Sequence, residues 1–142
     1  MQSLTDLFGP VISTYSRAHA IEDGVLVDLM QAETVDAVRE AGFRHPVAMT
    51  ATAFECAVWP IDDETAEKWL KARAQDLQGR LWDVLYMLMA AIKCGVDGDT
   101  VRFSLIVVDA ETKRRRRLSL KTICGPGDNG EPVLTIMLPE ED

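Results

Sequence analysis

The side chains best suited to moving a proton stand near the start of the chain: Tyr15, His19 and Glu22. Their i, i+4, i+7 spacing places all three on one face if the segment is helical. A carboxylate beside an imidazole orients it and keeps it charged near neutral pH, so this face could supply a general acid–base pair. The competing reading is an amphipathic helix with a half-buried tyrosine and a histidine at its rim. Catalytic groups are usually drawn from several elements, which favours that competing reading.

Asp83 is a second candidate, the only charge between Arg80 and Lys93 in the apolar run GRLWDVLYMLMAAIKC. A functional carboxylate held in such surroundings would have a raised pKa. An ion pair with Arg80, one helical turn earlier, is the simpler expectation. Cys56, Cys94 and Cys124 are widely spaced and form no CxxC, so they read as free thiols that pack like small hydrophobes. His19 and His45 come without HxxxH or paired cysteines, which gives no usual zinc site, and His19, Glu22 and Asp23 lack the spacing for a mixed one.

The glycines of GPGDNG lie between two strand-like runs. A phosphate cradle needs a helix N-terminus there, so the segment reads as a hairpin turn and no cofactor is expected. Asp128 and Glu131 beside it, with Glu140, Glu141 and Asp142, suggest a solvated acidic end rather than a cation site. Lys113, Arg114, Arg115, Arg116 and Arg117 concentrate enough charge to grip phosphates, but no aromatic is interleaved for base stacking. Charges there equally suit a sheet edge that must not aggregate.

The elements that must position these groups follow from periodicity. Leu81, Leu85, Leu88 and Ile92 fall on one line of a helix spanning Gly79 to Cys94. Val84 and Ala91 widen that stripe on one side, Trp82 and Met89 on the other, so the helix is expected in the core, covered from more than one direction. Ahead of it, Ser13 is the expected cap of a helix over 14–23, Val25 to Val27 a short strand, and Glu33 to Ala41 a helix stopped by Gly42 with Phe43 touching Val38. His45-Pro46 precedes a third helical piece, which Thr52 with Glu55 caps as a box unless Thr50 does so instead. Asp62 caps a fourth helix, and Gly79 breaks the chain before the central one. After Gly95 the period becomes two. Val101 to Val107 and Leu118 to Thr122 alternate, while Val133 to Leu138 is apolar on both sides and reads as the most buried strand. Short links, with Asn129-Gly130 as a turn signal, join them as an antiparallel meander. The fold class expected is α+β: N-terminal helices and a central apolar helix packed on a C-terminal three-stranded antiparallel β-meander, in a single domain over 1–142.

With 142 residues and a net charge of -8, the chain is large enough to bury a core and is repelled by nucleic acid at long range. The N-terminus has neither the basic nor the apolar region of a signal peptide, and no apolar run is long enough for a membrane span. Unpaired cysteines fit a reducing compartment, so a cytoplasmic location is expected.

ISTYSRAHAIEDGVLVDL, EAGFRHPVAMT, GRLWDVLYM and GPGDNGEPVLTIMLPEED together resemble a family of short uncharacterised proteins, a domain of unknown function, carried on proteobacterial plasmids and integrative elements. The resemblance reaches both ends of the chain; the stretch from Asp62 to Asp76 and the basic run fall outside it. It implies a bacterial, mobile-element setting and brings no activity and no functional residue. The function expected is therefore a non-enzymatic interaction or accessory protein with a protein partner still to be identified. Its apolar helix suggests a homodimer through Trp82, Tyr86 and Met89. Weak nucleic-acid binding through the basic hairpin, undetectable at physiological salt, is the alternative, and an enzyme using the Tyr15/His19/Glu22 face comes third.

Overall fold

The structure is a computed structural model that describes residues 16–58, 77–96, 98–108 and 114–141. Among the described residues, four helices and five strands follow one another as α1 (Arg17–Glu22), β1 (Leu26–Asp28), α2 (Val35–Glu40), β2 (Val47–Thr50), α3 (Ala51–Ala57), α4 (Leu77–Cys94), β3 (Thr100–Val108), β4 (Arg115–Pro126) and β5 (Pro132–Met137). The fold is α+β, but its sheet is five-stranded and mixed, in the order β1-β2-β5-β4-β3. The expected meander β3–β4–β5 is present as one part of it. Strand β2 extends that meander, pairing parallel to β5 with Val47 opposite Leu134, and β1 pairs antiparallel to β2.

Strand β2 follows Pro46, where the sequence points only to a break before a third helical piece. Val47, Ala48 and Met49 are all fully buried, so the run carries no alternation, and a short apolar run reads alike as helix or strand. Thr50, not Thr52, then caps α3, its hydroxyl accepting from the Ala53 amide at 3.2 Å. Serine capping of α1 also shifts: Ser16, not Ser13, accepts from the His19 amide at 3.0 Å. The helix expected from Asp62 lies outside the described residues.

The stop of α2 forms as the sequence implies. Gly42 adopts φ +102, its amide donates to the Arg39 carbonyl at 3.0 Å, and the Phe43 amide reaches the Val38 carbonyl at 3.2 Å. That is a Schellman stop, sealed by the burial of Val38 and Phe43 in the core. Helix α4 lies across the sheet with Leu81, Val84, Leu85 and Leu88 fully buried against Val101, Phe103, Leu105 and Leu120. It runs unbroken through Gly79, which sits inside the first turns rather than ending an earlier helix. Nor is it covered all round: Trp82, Asp83, Tyr86, Met87 and Lys93 face outward, because the flanking α2 and α3 are short.

Candidate functional site

His19 and Glu22 are both exposed on the six-residue α1, and Tyr15 lies outside the described residues. What fixes this helix comes from the far end of the chain. Asp128, in the β4–β5 turn, accepts from the Arg17 amide through Oδ1 at 2.8 Å and from the Ala18 amide through Oδ2 at 3.0 Å. Amides of a first helical turn lack partners within the helix, so a carboxylate there satisfies donors that would otherwise stay unpaired. The Arg17 side chain lies half-buried over the sheet, with Nη1 donating to Thr135 Oγ1 at 3.1 Å. Burial lowers its pKa, and Asp28, Asp128 and Glu131 oppose that shift.

Within the acidic end, Asp128, Glu131 and Glu141 are therefore structural rather than merely solvated. Glu131 accepts from the Asn129 amide at 2.9 Å and shapes the turn. Glu141 accepts from Thr50 Oγ1 at 2.7 Å and from the Leu138 amide at 2.9 Å, tying the C-terminal segment to the start of α3. Among the described residues no cluster of His, Cys, Asp and Glu has the geometry to hold a metal ion.

Asp83 reaches the surface, yet burial raises its carboxyl above the usual range, and the charge of Arg80 only partly offsets that. Arg80 points inward: it is buried, and its Nε donates to the Ala57 carbonyl at 3.1 Å, joining α4 to the end of α3. The thiols are free. Cys94 and Cys124 are exposed, while Cys56 packs against the core. Burial pushes the Cys56 thiol up, against the nearby Arg116 guanidinium. A protonated, core-packed thiol is a poor nucleophile.

The basic run occupies the start of β4, with Arg114 to Arg117 all exposed and Lys113 outside the described residues. Alternation divides it. Arg116 stands opposite Val107 on the helix-bearing face and approaches Cys56, whereas Arg115 and Arg117 stand opposite Val108 and Ile106 on the other face.

The largest departure from an ordinary soluble surface lies along the outer side of α4 and the adjoining strand. Tyr86 is 59 % exposed, Met87 38 %, Trp82 36 % and, on β3, Ile106 58 %. The Trp82 and Tyr86 rings lie 6.2 Å apart. A groove of about 360 Å³ between α4 and β3 is lined by Asp83, Tyr86, Met87, Ser104, Ile106 and Arg117. Met89 is half-buried against the core near the Gly42 turn and lines a smaller groove together with Trp82 and Tyr86, whereas Met87 lies on the β3 side of Tyr86. A second cavity, of about 410 Å³, opens where the C-terminal half of α4 diverges from the sheet. Phe43, Met89, Ile92, Val101 and Leu134 make its apolar walls, and Arg44, His45, Asp99, Thr122 and Cys124 also line it, with His45 and Cys124 exposed.

The open strand edge was not legible beforehand, since a three-stranded meander leaves two edges and nothing in the sequence says which one β2 covers. The signal available was the mismatch between the apolar circumference of α4 and its small partners.

No helix among the described residues is long and apolar enough to cross a membrane. No curated protein and no solved structure matches the chain. A family match spans residues 6–142, from before α1 to beyond the Glu141 tie, and the chain belongs to that family, the family of unknown function DUF6573.

Proposed function

We propose that this is a non-enzymatic interaction protein, an accessory of a bacterial mobile genetic element that works in the cytoplasm through protein contacts. The observation that carries the reading is the band of exposed Trp82, Tyr86, Met87 and Ile106 beside a strand edge. Large apolar side chains exposed together mark contact surfaces more often than they mark anything else. Among the described residues, the two acid–base candidates on helices lie in different places: His19 is exposed on α1, and Asp83 lines the groove between α4 and β3. A homodimer that buries Trp82 and Tyr86 is the simplest such contact. The test is affinity capture from a host carrying the element, with the native chain and with Tyr86→Ser/Met87→Ser side by side. Partners lost in the double variant are expected. Identical captured sets would remove this surface from the function.

Nucleic-acid binding is the second reading, favoured by one observation: Arg115 and Arg117 share an exposed sheet face with Arg102. Three cations on an acidic chain support weak contact only.

A further inference from the structure

Strand β3 ends the sheet, and its ladder with β4 is regular from Thr100 opposite Ile123 to Val108 opposite Arg115. The Cys124 amide donates to the Asp99 carbonyl at 2.8 Å. Along an antiparallel ladder, residue pairs that exchange hydrogen bonds alternate with pairs that do not. Stepping by twos from Asp99 and Cys124, the pairs Val101–Thr122, Phe103–Leu120, Leu105–Leu118 and Val107–Arg116 therefore spend their backbone groups on β4. Thr100, Arg102, Ser104, Ile106 and Val108 direct theirs the other way, where the Val108 carbonyl accepts from Arg80 Nη1 at 3.4 Å and no described strand lies. Proteins usually blunt such an edge with proline, a bulge, several charges or a short strand. This one is nine residues long, unbulged and free of proline, and its only charge is Arg102.

We propose that this edge pairs antiparallel with the same edge of a second copy of the chain, with the two-fold axis at Ser104, making one continuous sheet across the dimer. The inference rests on the protein-contact reading and gives it a site and an occupant. Register selects the axis. Centred on Ser104, every outward residue from Thr100 to Val108 meets an outward residue of the other copy, and Arg102 lies opposite Ile106. Moving the axis to Arg102 sets two arginines against each other, which is unfavourable. Moving it to a neighbouring residue leaves an end residue without a partner.

The surroundings of the edge fit the same axis. The groove beside the β3 edge has Ser104 and Ile106 in its wall, so the two-fold brings the two grooves together, with Tyr86 and Met87 on the helix-bearing side and Ile106 on the opposite face beside Arg102 of the other copy. Each groove also holds one carboxylate, Asp83, and one guanidinium, Arg117, so its own charges balance. The dimer thus closes over the most exposed apolar side chains on α4 and β3.

Two substitutions test this from different directions. Ser104→Pro removes an amide that points away from β4, a position where an edge strand tolerates proline. Ile106→Lys places a cation opposite Arg102 of the other copy without touching the backbone. Sedimentation of the native chain is expected to give the dimer mass, and both variants the monomer mass with unchanged circular dichroism. In hydrogen exchange, the Arg102, Ser104 and Ile106 amides are expected to be protected in the native chain and to exchange fast in Ile106→Lys. If Ser104→Pro fails to fold, Ile106→Lys alone decides. A native chain that stays monomeric at every concentration overturns the second copy as occupant and leaves the capture experiment to judge the protein-contact reading. A dimer that survives Ile106→Lys, with the Ser104 amide exchanging freely, overturns the β3 edge as its interface.

Discussion

Asp83 shows how one side chain records its surroundings. Burial holds its carboxyl above the ordinary value of 3.8, so between that value and the raised one the folded chain keeps a proton that the unfolded chain has released. Stability is favoured below the unfolded value and is lost as pH rises through the folded one. Asp83→Asn removes the effect. The variant is expected to melt above the native chain at neutral pH, with the gap closing as pH falls toward about 4. A gap that stays constant across that range would show that burial of the charge is not its cause. Leucines on the opposite side of the same helix report packing instead. Leu85 and Leu88 are fully buried, and truncating either to alanine is expected to cost about 2–5 kcal/mol in urea unfolding. Losses below about 0.5 kcal/mol, typical of surface sites, would contradict the placement of the helix.

At the scale of elements, what was readable in the sequence was whatever a short window contains. The Gly42 stop with its Phe43–Val38 contact is local chemistry, and so is the alternation of Val101, Phe103, Leu105 and Val107, all of which proved buried. The strand after Pro46 was not readable, because Val47 to Met49 are buried on both faces and lose the period that distinguishes strand from helix. Nor was the partner of α1. Asp128 lies in a turn that looks solvated in sequence, and only the fold carries it to the Arg17 and Ala18 amides. The same distance in sequence hid the tie from Glu141 to Thr50. Asp128→Ala should consequently loosen α1, costing about 1 kcal/mol as capping side chains do. Faster exchange of the Arg17 and Ala18 amides, with α4 amides unchanged, is the expected signature. An α1 as well protected as before would mean that Ser16 suffices as its cap.

For the whole molecule, charge and shape act together. A duplex approaching the face that bears Arg102, Arg115 and Arg117 meets two or three usable cations, since Arg116 is turned toward Cys56 on the other side. The protein as a whole repels it, with a net charge of -8. Binding to mixed-sequence DNA is therefore expected to be undetectable at about 0.15 M salt, and to appear at lower salt with a shallow slope of about two to three released counterions. Fluorescence anisotropy across a salt series measures this. Tight binding at the higher salt, abolished by Arg115→Glu/Arg117→Glu, would make nucleic acid the partner.

The place of β5 between β2 and β4 governs how the chain is made. A ribosome delivers β2 long before Pro132–Met137, the strand that must slide in beside it, and the Val47–Leu134 pairing spans most of the chain. Contacts so far apart in sequence slow folding, because a long loop must close before they give anything back. Until then Val47, Ala48 and Met49, fully buried in the finished sheet, are bare on the nascent chain. Translation therefore delivers the β1–β2 and β3–β4 pairs before the strand that joins them. A chain stopped before Pro132 lacks that joining strand and leaves the edges of β2 and β4 unpaired, a state prone to aggregation.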